Sequence, residues 1–364
     1  MSMQTVKLTL QKSFFEQMEK VILESGVLSA STFLFSSGVH GLRVKNAKGE
    51  LIVLPYQGQQ IWRASFCGKD LTMKSTFQEP VATQDFGSTY GCFLLHCGMT
   101  AMGNPGEGDT HPQHGELPNI PYDSAYVAIG EDESGRYVEV GGDVRYRQAF
   151  AVNYTASPKI KLYEHETLMD ISMTVGNHRA EAMEYLYLCH VNFHPVEGAK
   201  LVYSAPAVPE NIKVHKDVPV NLPADKAAAL RNYMDRLSEN PALQNIVDSK
   251  SQVYDPEIVF TVKYNTDADG WAHCMQVSPT GEAFYVSFRP DELPYGIRWI
   301  GRTVEEDAMG MALPATAEHK GYNYCKVNGQ IKWLAGKSSI SFHVKAGYLE
   351  PERAGAVAGK IQFG

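Results

Sequence analysis

The chain has 364 residues, 44% hydrophobic and 20% charged, with a formal net charge of −8 and a pI near 5.9. That is enough apolar material for a sizeable core, and there is no basic stripe of the kind that neutralises nucleic-acid phosphates. No window of about 18 uncharged apolar residues occurs, which excludes an ordinary membrane-spanning helix, so neither nucleic acid nor a membrane is expected as a partner.

The N-terminal stretch MSMQTVKLTLQKSFFEQMEK carries charges throughout and lacks the apolar run of a secretory signal. Lys12 to Glu24 places Phe14, Phe15, Met18 and Ile22 at helix-like spacing before Gly26 and predicts a helix. Strands of about five to ten residues, separated by Gly, Pro, Asn and Asp, follow. The predicted set is Val39 to Val44, Glu50 to Leu54, Tyr137 to Tyr146, Lys159 to Tyr163, Met169 to Val175 and Ala182 to Val191, then Ile258 to Tyr264, Ala283 to Phe288 and Ser338 to Val344. TLMDISMTV and SISFHV alternate cleanly, the period of half-buried antiparallel strands. A second helix is predicted from Pro223 through KAAALRNYMDRLSE to the break at Asn240-Pro241.

Strands dominate and helices do not alternate with them, so the expected fold is an all-β sandwich of antiparallel sheets with a few short helices. A rule of about 150 residues per domain suggests two domains. With no internal repeat or linker, residues 1–364 read instead as one domain with a helical insertion near 222–247. Six cysteines (Cys67, Cys92, Cys97, Cys189, Cys274, Cys325) have no repeating spacing and read as free thiols in a reduced, cytoplasmic compartment.

Three segments carry candidate chemistry. Gln60 to Phe66 (QIWRASF) puts Arg63 in an otherwise apolar strand, where it needs an ion-pair partner or a polar ligand. Gly103 to Asp123 (GNPGEGDTHPQHGELPNIPYD) is a long polar loop holding His111 and His114. Pro112 and the surrounding glycines exclude the helical H-E-x-x-H zinc arrangement, so no metal is expected there. In Glu181 to Pro195 (EAMEYLYLCHVNFHP), strand alternation puts Leu186, Leu188, His190 and Asn192 on one face. His190 is either a satisfied core histidine or part of a polar cavity patch. Aromatics near these segments, among them Trp62, Tyr122 and Trp299, suit the flat apolar faces of sugars, although core aromatics are commoner. No P-loop, G-x-G-x-x-G, G-x-S-x-G or C-x-x-C motif is present, so no nucleotide, flavin or covalent-serine chemistry is indicated.

Taken in order, Arg63 in WRASF, His114 in HGELPN and His190 in CHVNFHP resemble the galactose mutarotase-like superfamily, in particular its bacterial aldose 1-epimerase-like branch. ELPYGIRWIG and MALPATAEHKGY are similar to that branch's C-terminal motifs, and the resemblance spans roughly residues 40 to 345. It implies a β-supersandwich with an open cleft, a small-molecule sugar as partner, and interconversion of aldose anomers without cofactor. His190 would be the acid, with His114 and Arg63 holding the ring oxygen and hydroxyls and Asn192 and Trp299 binding the sugar; His194, where this branch often has Gly, departs from the pattern and is expected to contact the ligand. The resemblance places the general base before the Pro of an E-P-A-T-like turn, but here Leu313 precedes Pro314. Among nearby carboxylates (Glu305, Glu306, Asp307, Glu318), Glu318 is the candidate substitute. A non-catalytic sugar-binding protein, or a different carbohydrate isomerase, would fit a chain without that base. Only Arg63, with Arg289 and Arg298, offers guanidinium groups to a cleft, which favours a neutral sugar over a phosphorylated one.

Overall fold

A computed structural model describes residues 5–362, and these form two large antiparallel sheets. One has nine strands, in the order Val6–Thr9, Ser124–Asp132, Gly135–Gln148, Val152–Tyr163, Leu168–Asn177, Ser339–Leu349, Ala283–Phe288, Ala272–Val277, Lys200–Tyr203. The other has thirteen. Its main path runs Ile212–His215, Ile258–Val262, Tyr295–Arg302, Asp307–Ala315, Met183–Val191, Leu94–Met99, Ile61–Phe66, Gly49–Val53, His40–Lys45, Leu28–Leu34, Lys20–Ser25. Lys69–Asp70 and Lys332–Leu334 pair at its sides. The all-β expectation holds, and every predicted strand is present, with bounds shifted by up to seven residues, as where Lys159 to Tyr163 extends back to Val152.

Alternation decides which side chains meet between the sheets. Along Leu168–Asn177 every second residue is buried, so Met169, Ile171, Met173 and Val175 enter the core while Asp170, Ser172 and Thr174 remain partly wet. They face residues of the other sheet, such as Val53, Ile61, Tyr187 and Val191, in one continuous cluster. Tyr187 stacks on Phe342 at 4.7 Å, one of many buried side chains worth roughly 1.5–3 kcal/mol each.

The helix predicted before Asn240 spans Ala224–Glu239 and buries Ala227, Leu230, Tyr233, Met234 and Leu237 along one stripe. It ends where the Asn240 side chain accepts a hydrogen bond from the Ala242 amide. The following turn is tied to the sheet by Arg298, whose wholly buried guanidinium donates to Gln244 Oε1 and the Met311 carbonyl beneath the Tyr203 ring. Arg298 is therefore an internal tie and not a cleft residue.

Lys12 to Glu24 is not a helix. Only Lys12–Phe14 forms a turn of 3₁₀ helix, and Lys20–Ser25 is a strand paired with Leu28–Leu34. Val21 and Ile22 are β-branched and fit the pleated edge offered by that neighbour. Gly26 (φ +65°) closes the hairpin instead of stopping a helix. Two helices were not legible: Tyr322–Val327, and Pro351–Gln362, whose glycines weaken the periodic signal and whose Ala354 packs on Met275, Tyr285 and Leu349. All six cysteines are free, with only Cys67 exposed. No helix among the described residues is long and apolar enough to cross a membrane.

Candidate functional site

The strand Met183–Val191 sends Tyr185, Tyr187, Cys189 and Val191 into the core between the sheets. Leu186 and Leu188 turn to the opposite face, joining Ile297, Leu313 and Ala315 from neighbouring strands. On that outer face of the thirteen-stranded sheet lies a cavity of about 230 Å³. Leu188, His190, Val259, Ile297, Trp299 and Leu313 form its floor, and Phe86, Tyr90, Gln113 and His114 come from two loops.

His190 is held in a defined tautomer. Its Nδ1 lies 2.7 Å from Asn192 Oδ1, and Asn192 Nδ2 donates to the Cys92 carbonyl, which fixes the amide so that its oxygen faces the imidazole. Nδ1 therefore carries the proton, leaving Nε2 for the cavity. Tyr90 donates to the same Asn192 oxygen at 3.2 Å. Burial lowers the His190 pKa to about 4, opposed by the Asn192 hydrogen bond, so the imidazole is neutral at pH 7. Its ring meets Trp299 at 5.5 Å and His114 at 5.3 Å, both nearly edge to face.

His114 reaches the cavity through a strained backbone, with φ +61°. Its amide donates to Gly103 and its carbonyl accepts from Gly98. Gly103 (φ +78°) permits the approach, since a Cβ there would sit 1.8 Å from the His319 carbonyl oxygen. Glu116 pins the same loop, its buried carboxylate accepting from the Thr100 and Met99 amides and the Tyr154 hydroxyl. His114 packs on Phe86 at 4.7 Å, and its buried Nδ1 has no hydrogen-bond partner among the described residues. Burial first, then the neighbouring histidines, hold its pKa well below 6.5.

Two carboxylates line this cavity, and the one bound to Trp299 is Glu257, which the sequence did not single out. It precedes the strand Ile258–Val262, whose Val259 stands opposite Trp299. Trp299 Nε1 donates to Glu257 Oε2 at 2.5 Å. Burial raises the Glu257 pKa, with the Trp299 bond working against it. Leu313, at the position where the resemblance calls for the base, does line the cavity, but as an apolar wall. Glu306 also lines it.

Other expected site residues fall elsewhere. Glu318 does not line the cavity: Lys213, Tyr324 and Gln330 all donate to its carboxylate. Burial works to raise its pKa, but these bonds prevail and hold it at about 2, a poor proton acceptor. Arg63 is spent on the carbonyls of Trp62, Gly91, Phe77 and Gln78, so it holds down the loop carrying Phe86 and Tyr90 without reaching the cavity. The His194 backbone bonds Leu71 and Gln276, and its ring is not part of the wall. Asn192 acts behind His190 and is not part of the wall. His111 bonds the Pro112 carbonyl and lies 3.5 Å from Asp109, and no group of three metal-ligating side chains converges among the described residues.

A larger groove of about 650 Å³ crosses the outer face of the nine-stranded sheet, and Arg289 lies there. Its cations are matched by carboxylates, as in Lys345–Asp170 and Arg289–Glu292, and it brings together no such buried histidine–carboxyl group. The smaller cavity is the better candidate because its titratable groups are buried, close and shifted.

Asn192→Asp tests the orienting bond directly. A carboxylate against Nδ1 should raise the His190 pKa by about 1–3 units, read by NMR of the imidazole nitrogens. An unmoved pKa would mean that the two side chains are not in contact.

Residues 36–347 match the family model described as Domain of unknown function (DUF4432). No curated protein shows significant sequence similarity to the chain. Among solved structures, the "putative aldose 1-epimerase" from Klebsiella pneumoniae superposes with a TM-score of 0.80 at 16% identity, covering 100% of this chain and 96% of that one. A galactose mutarotase-like protein from Clostridium acetobutylicum gives 0.58 at 16% identity over 88% and 98% of the two chains. Another from Lactobacillus casei gives 0.51 at 13% identity over 85% and 99%. The fold is that of the galactose mutarotase-like proteins.

Proposed function

Since the chain belongs to the DUF4432 family and has the galactose mutarotase-like fold, we propose that it is an aldose 1-epimerase-like enzyme, interconverting the anomers of a neutral sugar. The observation that carries this reading is the convergence of His114, His190 and the Trp299-bound Glu257 on one small, partly apolar cavity.

The chemistry asked of the site is one proton in and one proton out. The anomeric hydroxyl loses its proton, the bond from the anomeric carbon to the ring oxygen breaks, and that oxygen takes up a proton. The open-chain aldehyde turns about its C1–C2 bond and recloses with both transfers reversed. Burial lowers the His190 imidazole to about 4, leaving it neutral, and raises the Glu257 carboxyl, favouring its protonated form. A neutral imidazole and a carboxyl whose protonated form burial favours can pass one proton through the sugar by general acid–base catalysis. Trp299 offers its ring to the sugar's C–H face and orients Glu257. His114 supplies a further imidazole for hydroxyl contacts. No step needs a cofactor, and the cavity presents no arginine or lysine for a phosphate. The reading treats residues 1–364 as one working unit, because the walls come from residues as far apart as Phe86 and His319.

The test is anomer exchange measured by NMR magnetisation transfer over a panel of aldoses. The wild type should exceed the uncatalysed rate, and Glu257→Gln should lower the catalysed rate by about 10²-fold or more. A second reading, a non-catalytic sugar-binding protein, is favoured by the apolar Leu313 at the expected base position. Saturable sugar binding without faster exchange would select it.

A further inference from the structure

A second chamber of about 540 Å³ adjoins the candidate site. The two cavities share four wall residues, Asn104, Glu257, Val259 and His319, so they form one cleft with an inner and an outer part. The inner part, at about 230 Å³, is below the roughly 300–1,000 Å³ of pockets for larger ligands and suits a single ring. The outer part is too large to be merely the mouth of that pocket.

The outer lining has a distinct chemistry. Asn104, Asn323 and Asn328 supply carboxamides, each able to donate and accept, and Tyr324 supplies an aromatic face. One lysine is present, Lys320, and it is already paired with Asp217 at 2.7 Å. With Glu107, Asp217 and Glu257 in the same wall, carboxylates outnumber cations, which disfavours a phosphate or carboxylate ligand. Neutral hydroxyls are what such a wall would bind.

We infer that the outer chamber is a subsite for a second neutral sugar ring, so that the preferred substrate is a reducing disaccharide whose reducing ring occupies the inner cavity. This rests on the functional reading above for its chemistry, but not for its binding. The anomeric hydroxyl of the inner ring must stay free, so the second ring is joined through another hydroxyl and leaves on the Glu257 and His319 side, where the chambers meet.

The experiment compares reducing disaccharides with their own reducing-end monosaccharides: maltose, cellobiose, lactose and gentiobiose against glucose, and mannobiose and xylobiose against mannose and xylose. Both catalysed anomer exchange and calorimetric affinity are measured. At least one disaccharide should exceed its monosaccharide at least tenfold in kcat/KM and in affinity. Val327→Trp should pull that ratio toward one, since it fills the rim of the outer chamber from a position 87% exposed, where substitution is tolerated by the fold. Exchange on monosaccharides with no disaccharide gain overturns the subsite and leaves the proposed reaction standing. Tighter disaccharide binding without faster exchange does the reverse. Absence of both exchange and binding overturns both, as would a disaccharide preference that Val327→Trp leaves unchanged for the subsite alone.

Discussion

His190→Ala should remove the catalysed part of anomer exchange, a loss of about 10²–10⁴-fold, the range contributed by a positioned acid–base group. The size follows from the geometry. His190 Nε2 has no competing partner among the described residues, its Nδ1 proton is tied to Asn192, and the ring is wedged between His114 and Trp299. Sugar affinity should change far less, since the apolar floor of Leu188, Ile297 and Trp299 stays intact. A loss of rate at nearly constant Kd is therefore the expected signature. His190→Gln, which keeps a polar side chain of similar reach, should be equally inactive and controls for collapse of the cavity. Wild-type exchange in either variant would remove His190 from the mechanism.

The second large effect is acid instability that starts well above the carboxylate range. Three buried histidines, His96, His190 and His215, and two partly buried ones, His114 and His319, have lowered pKa values. His96, His190 and His215 stand at about 4 and His319 at about 3, all chiefly through burial, and His114 lies well below 6.5. Each must be neutral in the folded state, whereas the unfolded chain protonates them near pH 6.5. The folded pKa lies below the unfolded one, so the stabilising difference is fully present above about pH 6.5. It is lost as pH falls toward 4, because the unfolded state then binds more protons. At pH 5 each histidine with a folded pKa near 4 costs roughly 2 kcal/mol. Several together rival the roughly 5–15 kcal/mol that holds a typical domain. Calorimetric Tm should be flat from pH 8 to about 6.5 and fall steeply below it. His96→Gln should flatten part of that slope, because His96 lines neither chamber and bonds only the Tyr187 hydroxyl. A Tm unchanged between pH 6.5 and 5 would show that these imidazoles are not buried as described.

The two effects share one cause. Taking histidines out of water lowers their proton affinity, which at His190 tunes the site and at His96 simply costs stability. A site built from buried imidazoles is therefore expected to come with poor acid tolerance.

What the amino-acid sequence determined by itself is what depends on near neighbours along the chain. Alternation in TLMDISMTV assigned a half-buried strand, found at Leu168–Asn177, and helix formers before Asn240-Pro241 placed the helix Ala224–Glu239. The same logic separated Leu186, Leu188 and His190 from Tyr185, Tyr187 and Cys189 before any partner strand was known. The tertiary structure decided what depends on pairing. Lys12 to Glu24 has a helix-like spacing of apolar residues, but its Lys20–Ser25 part lies beside Leu28–Leu34, and the cross-strand ladder overrides the local pattern. Glu257 carries no local signal that marks it among 41 acidic residues. It enters the site because Val259 pairs with Trp299, a register set 40 residues away along the chain. Arg63 looked like a site residue by its charge in an apolar strand and Glu318 by its place near the missing base, yet both are satisfied internally, by four carbonyls and by Lys213, Tyr324 and Gln330 respectively. A buried polar group needs partners whether or not it has a function. Sequence shows the need, and only the folded chain shows whether a ligand is left to meet it.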